Sequence, residues 1–369
     1  MPIDLSVGEP QHQPPAFIRS IIDGRSDTWN RYPPLNGTPE LRKACADWLA
    51  RRYRLPVGMI DPETMISPCA GTREGLYMAA TLAITAQNGK GGVLPLALMP
   101  NPFYQVYVGA AVLAGAEPAF MPATRETGFL PALEALDPAE LARAQLMYLC
   151  SPANPQGATA DLAYLKRLIA LAREHDFLLV MDECYAEIYT TAAPPTGALE
   201  AAAALGGSLD NLLVFHTLSK RSSAPGLRSG FAVGAPHAMT LFHRLRTYGC
   251  AATPVAVLDA ATALWQDEAH VVETRAAYRA KFDIAERLLK GRLGFYRPAG
   301  GFYLWLDVGD GEAAAKRLWG EGGVKALPGA YLTRPAADGT NASKSYIRLA
   351  LVSGLEETEE ALTRVANIL

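Results

Sequence analysis

An α/β fold built on a mostly parallel sheet is what this sequence predicts, and three observations predict it. Short apolar runs recur through the middle of the chain, at residues 93–99, 146–150, 177–181, 212–215 and 230–234. They lack polar alternation, so they read as strands buried on both faces, the habit of parallel sheets. Between the second and third runs, residues 160–175 place Leu162, Leu165, Ile169 and Ala172 on one helical face, with Lys166, Arg167 and Arg173 elsewhere. That completes a strand–helix–strand unit.

The remaining elements follow in order. A helical pattern begins near Gly75, and a long helical stretch runs from residue 253 to about 290. Residues 301–307, 313–320, 346–351 and 356–368 then suggest a compact α+β tail domain. The first thirty or so residues are rich in Pro and Gly with little periodicity, and are expected to lie across the tail or a partner subunit.

Composition narrows the function classes. The chain has 369 residues, 50% of them apolar, enough for one large core and a smaller one. Lys and Arg number 34 against 37 Asp and Glu, with no basic block, so a nucleic-acid partner is not expected. No apolar run is long enough to span a bilayer, and the start does not resemble a secretory signal. Cys45, Cys69, Cys150, Cys184 and Cys250 are scattered, odd in number and never in C-x-x-C. That argues against a disulfide framework or a metal site and fits a reducing cytoplasm.

In open parallel sheets ligands gather at the carboxyl ends of the strands, and the polar motifs are expected there. Lys220 follows the run 212–215. A lysine desolvated at a strand exit loses its preference for the ammonium form, and a neutral amine can condense with an aldehyde; alternatively it is a surface lysine in a polar loop. Arg228, eight positions on, could hold a phosphate as a planar fork. Ala70-Gly71-Thr72 precedes a helix, and is either an anion cradle of glycine and free amides or a Thr72 helix cap. Tyr104, after Asn101-Pro102-Phe103, either stacks on a planar ligand or is core. Asn154, in Ser151-Pro152-Ala153-Asn154-Pro155-Gln156-Gly157, belongs to a rigid turn and either donates to a ligand oxygen or is purely structural. Asp182 ends an apolar run and either pairs with a protonated ring nitrogen or caps a helix. Tyr185 could bond the same ligand oxygen as Asn154. Arg348 alternates with apolar neighbours and either clamps a carboxylate bidentately or makes a surface salt bridge.

Taken jointly, Gly71, Tyr104, Asn154, Asp182, Tyr185, Lys220, Arg228 and Arg348 appear in the order and spacing of the class I/II pyridoxal-phosphate aminotransferases related to aspartate aminotransferase. The resemblance covers essentially the whole chain. It implies a large domain over 38–285 with a mostly parallel seven-stranded sheet flanked by helices, and a smaller α+β domain over 286–369. The segment 1–37 would pack on the small domain and a dimer partner. It further implies pyridoxal 5'-phosphate linked to Lys220, which would also shuttle the proton at the substrate α-carbon. Asp182 would pair with the ring nitrogen, Asn154 and Tyr185 with the ring oxygen, and Tyr104 with the ring face. Gly71, Thr72, Thr217 and Arg228 would hold the phosphate, with Tyr32 reaching the neighbour's phosphate across a homodimer. Arg348, Asn154 and the backbone near Gly8 would bind the substrate α-carboxylate.

A narrower resemblance links residues 218–231, 101–107, 182–189, 7–10 and 244–248 to bacterial N-succinyldiaminopimelate aminotransferases. Ser223-Ala224 and Ala70 depart from that group's usual residues. The resemblance implies amino transfer between N-succinyl-LL-2,6-diaminopimelate and 2-oxoglutarate, on the route to lysine. Such substrates require a second anionic site, for which Arg246, Tyr248 and Arg31 are candidates. Transfer from aspartate, alanine or aromatic amino acids, or a C–S β-lyase reaction on the same residues, remain alternatives. A transcription regulator built on this fold would need a basic helix-turn-helix segment ahead of it, and the resemblance already begins within the first forty residues.

Overall fold

The computed structural model describes residues 1–84 and 93–369. Its strands are β1 (Ile3–Asp4), β2 (Ile66–Cys69), β3 (Leu96–Asn101), β4 (Glu117–Pro122), β5 (Ala144–Cys150), β6 (Leu178–Asp182), β7 (Leu212–Thr217), β8 (Gly230–Gly234), β9 (Tyr303–Asp307), β10 (Val324–Lys325), β11 (Leu327–Pro328) and β12 (Tyr346–Ala350). The central sheet has seven strands in the order β2-β8-β7-β6-β5-β3-β4. Neighbours from β7 through β4 pair in parallel, whereas β8 is antiparallel to both β7 and β2.

The apolar runs are buried on both faces because successive residues feed different cores. On β5, Met147 and Leu149 join the cluster on one face while Leu146 and Tyr148 join the cluster on the other. That split is the two-residue period of a strand with both faces covered. Helices cover both faces, among them Leu162–His175, whose start is capped by Asp161 accepting from Tyr164 N at 2.8 Å.

Three expectations need correction. The run 230–234 was grouped with the parallel strands, but β8 runs the other way. Only residues 218–229 join it to β7, spanned by one helical turn and a tight turn, with no crossover helix to carry the chain back. The first run becomes a strand only at Leu96, and Val93 and Leu94 are exposed. The stretch 253–290 is two helices, Val255–Gln266 and Ala269–Leu289. Asp267 separates them by accepting from His270 N, while Arg221 binds the carbonyls of Leu264 and Asp267.

A second sheet, β11-β12-β9, is antiparallel. Ile347 and Leu349 of β12 and Leu304 and Leu306 of β9 share a core with Phe282, Leu318 and Leu362. Ile3 and Leu5 enter the same core as β1 pairs with β10. Further along, Ile18 of the helix Phe17–Asp23 joins the larger core. Among the described residues, no helix is long and apolar enough to cross a membrane.

Candidate active site

The carboxyl ends of β2, β3, β5, β6 and β7 open on one edge of the large sheet. Because β8 is antiparallel, its start, with Arg228 just before it, lies on that same edge. A cavity of about 910 Å³ occupies this edge, and Thr72, Tyr104, Asn154, Asp182, Tyr185, Thr217, Lys220, Arg228, Gly8 and Arg348 all line it. Arg348 arrives from elsewhere: it stands mid-way along β12 in the smaller sheet, not at an end of the large one.

Lys220 follows β7 in the single helical turn Leu218–Arg221, whose start Thr217 caps by accepting from Ser219 N at 3.1 Å. Its Nζ donates to Gly8 O at 2.6 Å and stands 5.2 Å from the centre of the Phe302 ring. Burial pushes its pKa down to about 8, against the opposing pull of Cys184, Glu9 and Asp182.

Asp182 ends β6 and is buried. Tyr107 OH donates to its Oδ2 at 2.7 Å and Cys184 N to its Oδ1 at 3.2 Å. The Cys184 bond belongs to a turn, so Asp182 caps no helix. Burial pushes its pKa up, partly offset by those donors and by Lys220. A buried carboxylate with no strong cation against it favours a cationic guest.

The phosphate cradle is testable from the backbone. Gly71 adopts φ 83, ψ 153, a region essentially confined to glycine, and a Cβ there would collide with Arg228 Nη2. Arg228 donates to Pro225 O at 2.9 Å and Ala70 O at 3.1 Å. Thr72 is the first residue of the helix Thr72–Ala83 and not its cap; no side chain caps that end. Its Oγ1 instead meets Cys184 Sγ at 3.1 Å. A guanidinium and an uncapped helix start therefore converge, an arrangement that suits an anion.

Arg348 Nη1 donates to Asn154 Oδ1 at 3.1 Å and Nη2 to Ser6 O at 2.7 Å, while its guanidinium lies 4.4 Å above the Tyr303 ring. It makes no salt bridge among the described residues, and its Nε is buried without a hydrogen-bond partner. With the Asn154 oxygen engaged, the amide NH2 is the half left to donate to a ligand oxygen. Tyr185 OH shares a 3.1 Å hydrogen bond with Tyr303 OH. Tyr104 OH accepts from Arg73 Nε at 2.9 Å.

Other expected residues stand apart. Arg246 is buried and engaged by Glu74 Oε1 at 3.3 Å, Leu35 O at 3.2 Å and Ser67 Oγ at 3.2 Å, so it braces β2 and is no substrate anion site. Tyr248, Arg31 and Tyr32 do not line this chain's cavity; Tyr32 is fully exposed. Tyr107 and Tyr303 were missed. Tyr107 lies in the run Asn101-Pro102-Phe103-Tyr104-Gln105-Val106-Tyr107, one helical turn after Tyr104, and stacks on Tyr148 at 4.4 Å. Nothing local marks Tyr303, which reaches the site from β9.

The family model for aminotransferase class I and II matches residues 1–365. The chain belongs to the class I and II aminotransferases. It is 32% identical to an LL-diaminopimelate aminotransferase of Syntrophobacter fumaroxidans, over 99% of this chain and 91% of that one. An aminotransferase from Neisseria meningitidis superposes with a TM-score of 0.93 at 36% identity, covering 100% of this chain and 92% of that one. A probable N-succinyldiaminopimelate aminotransferase from Thermus thermophilus superposes with a TM-score of 0.86 at 27% identity, covering 100% and 95%. Aminotransferases of this family depend on pyridoxal phosphate. The Gly71–Arg228 cradle, the buried Asp182 and the desolvated Lys220 fit that group's phosphate, ring nitrogen and aldehyde.

Proposed function

We propose that this aminotransferase exchanges the amino group of N-succinyl-LL-2,6-diaminopimelate with 2-oxoglutarate by a ping-pong reaction. The reading is supported by the motif resemblance and by the diaminopimelate aminotransferases among its relatives. The observation that carries the chemistry is the placement of Lys220, Asp182 and Arg348 on one cavity.

Bound pyridoxal phosphate supplies an aldehyde and an electron-accepting ring. In this reading Arg348 clamps the donor α-carboxylate through its two Nη groups, with Asn154 and Ser6 fixing the plane of the guanidinium. Lys220, as a neutral amine, would take the proton from the donor α-carbon and hold it at Nζ for return. Asp182 keeps a positive charge on the ring nitrogen, and Tyr107 and Cys184 N hold the carboxylate in place. Arg228, Gly71, Thr72 and Thr217 hold the phosphate, Tyr104 lies against the ring, and Tyr185 bonds its oxygen. A homodimer completes the site, with exposed Tyr32 reaching the neighbouring phosphate. Arg73 is the remaining guanidinium on the cavity lining.

The test is a half-reaction screen of the loaded enzyme, reading keto-acid formation from single amino donors. Succinyl-diaminopimelate should react with a kcat/KM at least about tenfold above aspartate, alanine and phenylalanine. Preference for any of those three, or ammonia and pyruvate released from a cysteine conjugate without a keto acceptor, overturns it.

A further inference from the structure

Asn101 ends β3 just ahead of Tyr104, and the chemistry above gives it no task. Its side chain pairs with both main-chain groups of one distant residue: Nδ2 donates to Arg334 O at 2.8 Å, and Oδ1 accepts from Arg334 N at 3.1 Å. Two positions on, Phe103 N donates to Leu332 O at 3.0 Å, and the Arg334 guanidinium lies 5.4 Å from the Phe103 ring. The segment is held from its other side as well, where buried Thr333 donates to Asn341 Oδ1 at 3.0 Å.

What these bonds hold in place is cavity wall. Tyr331 and Leu332 line the cavity together with Phe129, Leu130 and Pro131. Leu332 packs into an apolar cluster with Phe129, Trp305 and Tyr346, and Phe129 stacks on Tyr296 at 5.1 Å. Trp305 is the cross-strand partner of Arg348. A donor whose α-carboxylate is clamped by Arg348 therefore has this cluster within reach of its side chain.

We propose that Asn101 is a positioning residue for donor selectivity: its amide clamps residues 331–334 to the exit of β3 and so sets the apolar wall along which a long, unbranched donor side chain lies. The inference rests on the reading of this cavity as an amino-donor site. A short donor touches little of the wall and is indifferent to it. A diaminopimelate donor, with a seven-carbon backbone, gains from every methylene laid against the wall, each worth roughly tenfold or more in discrimination when well packed.

The test uses the loaded enzyme, wild type against Asn101→Ala and Asn101→Asp. Aspartate keeps the shape and the acceptor but loses the Nδ2 donor and sets a carboxylate against Arg334 O. In both variants the KM of N-succinyl-LL-2,6-diaminopimelate, divided by the KM of the shortest donor accepted, should rise by about tenfold, with kcat for both donors changed far less. Amide hydrogen exchange at residues 331–334 should accelerate in parallel. An unchanged KM ratio overturns the proposal, whether or not exchange accelerates; so does an equal fall of kcat for both donors with exchange still slow. If wild type refuses N-succinyl-LL-2,6-diaminopimelate, the proposed function fails on its own, and the clamp is read with the longest donor the enzyme accepts.

Discussion

Lys220 and Lys281 are both desolvated and differ in what their amines can reach. Burial pushes each down to about 8. Lys220 points its amine at a cavity, against Gly8 O. Lys281 has no exposed surface; its amine donates to Leu351 O at 3.0 Å and meets His12 Nε2 at 2.7 Å. Burial, helped by the Lys281 charge, pushes His12 down to about 4, so the imidazole stays neutral and can accept from the ammonium. Both lysines thus hold the same N-terminal segment, one at residue 8 and the other at residue 12. A lowered lysine pKa reports desolvation, and becomes chemistry only where an electrophile can reach the nitrogen. The Asp182 charge beside Lys220 marks a further difference, for no carboxylate among the described residues acts on Lys281 in the same way.

The largest expected effect separates the two outright. Lys220→Ala should cut turnover by about a thousandfold or more, while Lys281→Met keeps it within about tenfold. Equal losses in a steady-state assay would erase the distinction.

A second, smaller effect concerns pH and stability in the cofactor-free chain. Lys281 has a folded pKa of about 8, below the ordinary unfolded value, so the unfolded chain keeps its proton to higher pH. Wild-type stability relative to Lys281→Met should therefore climb between about pH 8 and pH 10, by roughly 1 kcal/mol per pH unit. Urea unfolding at several pH values measures that difference. A flat difference would mean Lys281 is not desolvated.

The smallest effect probes what Lys220 has and Lys281 lacks. Tyr107→Phe removes the hydroxyl donated to Asp182, a hydrogen bond worth about 1 kcal/mol, and should lower kcat roughly fivefold. A loss as deep as that of Lys220→Ala would make Tyr107 a proton carrier and not a support for Asp182.

Legibility in the sequence followed a physical divide. The core strands β5, β6 and β7 were readable because burial on both faces writes itself into consecutive residues. The two strands missed, β2 and β4, are the sheet's edges, and both contain prolines, which edges tolerate and apolar pattern reading discounts. The direction of β8 was hidden for another reason: strand polarity depends on the path of the connection, not on the residues within the strand.

The site divides along the same line. Lys220, Asp182, Asn154 and Arg228 stand at or beside strand ends, so their motifs could be singled out locally and the family resemblance gathered them. Tyr107 was one helical turn from a residue already singled out, and recognising it required knowing which way Asp182 points. Arg246, a sequence candidate for anion binding, is turned inward by Glu74 and the Leu35 carbonyl, and no local pattern distinguishes that fate from exposure.

By itself the sequence determined the strand–turn motifs, each of which depends on residues close together in the chain, and the cofactor followed from the family those motifs jointly resemble. Only the tertiary structure decided that Asn154 and the Ser6 carbonyl hold the Arg348 guanidinium, that Tyr303 meets Tyr185, and that Asn101 grips Arg334 across 233 positions. Those contacts arise where two separately packed sheets face each other, and apolar periodicity carries no information about which surfaces of two such units meet.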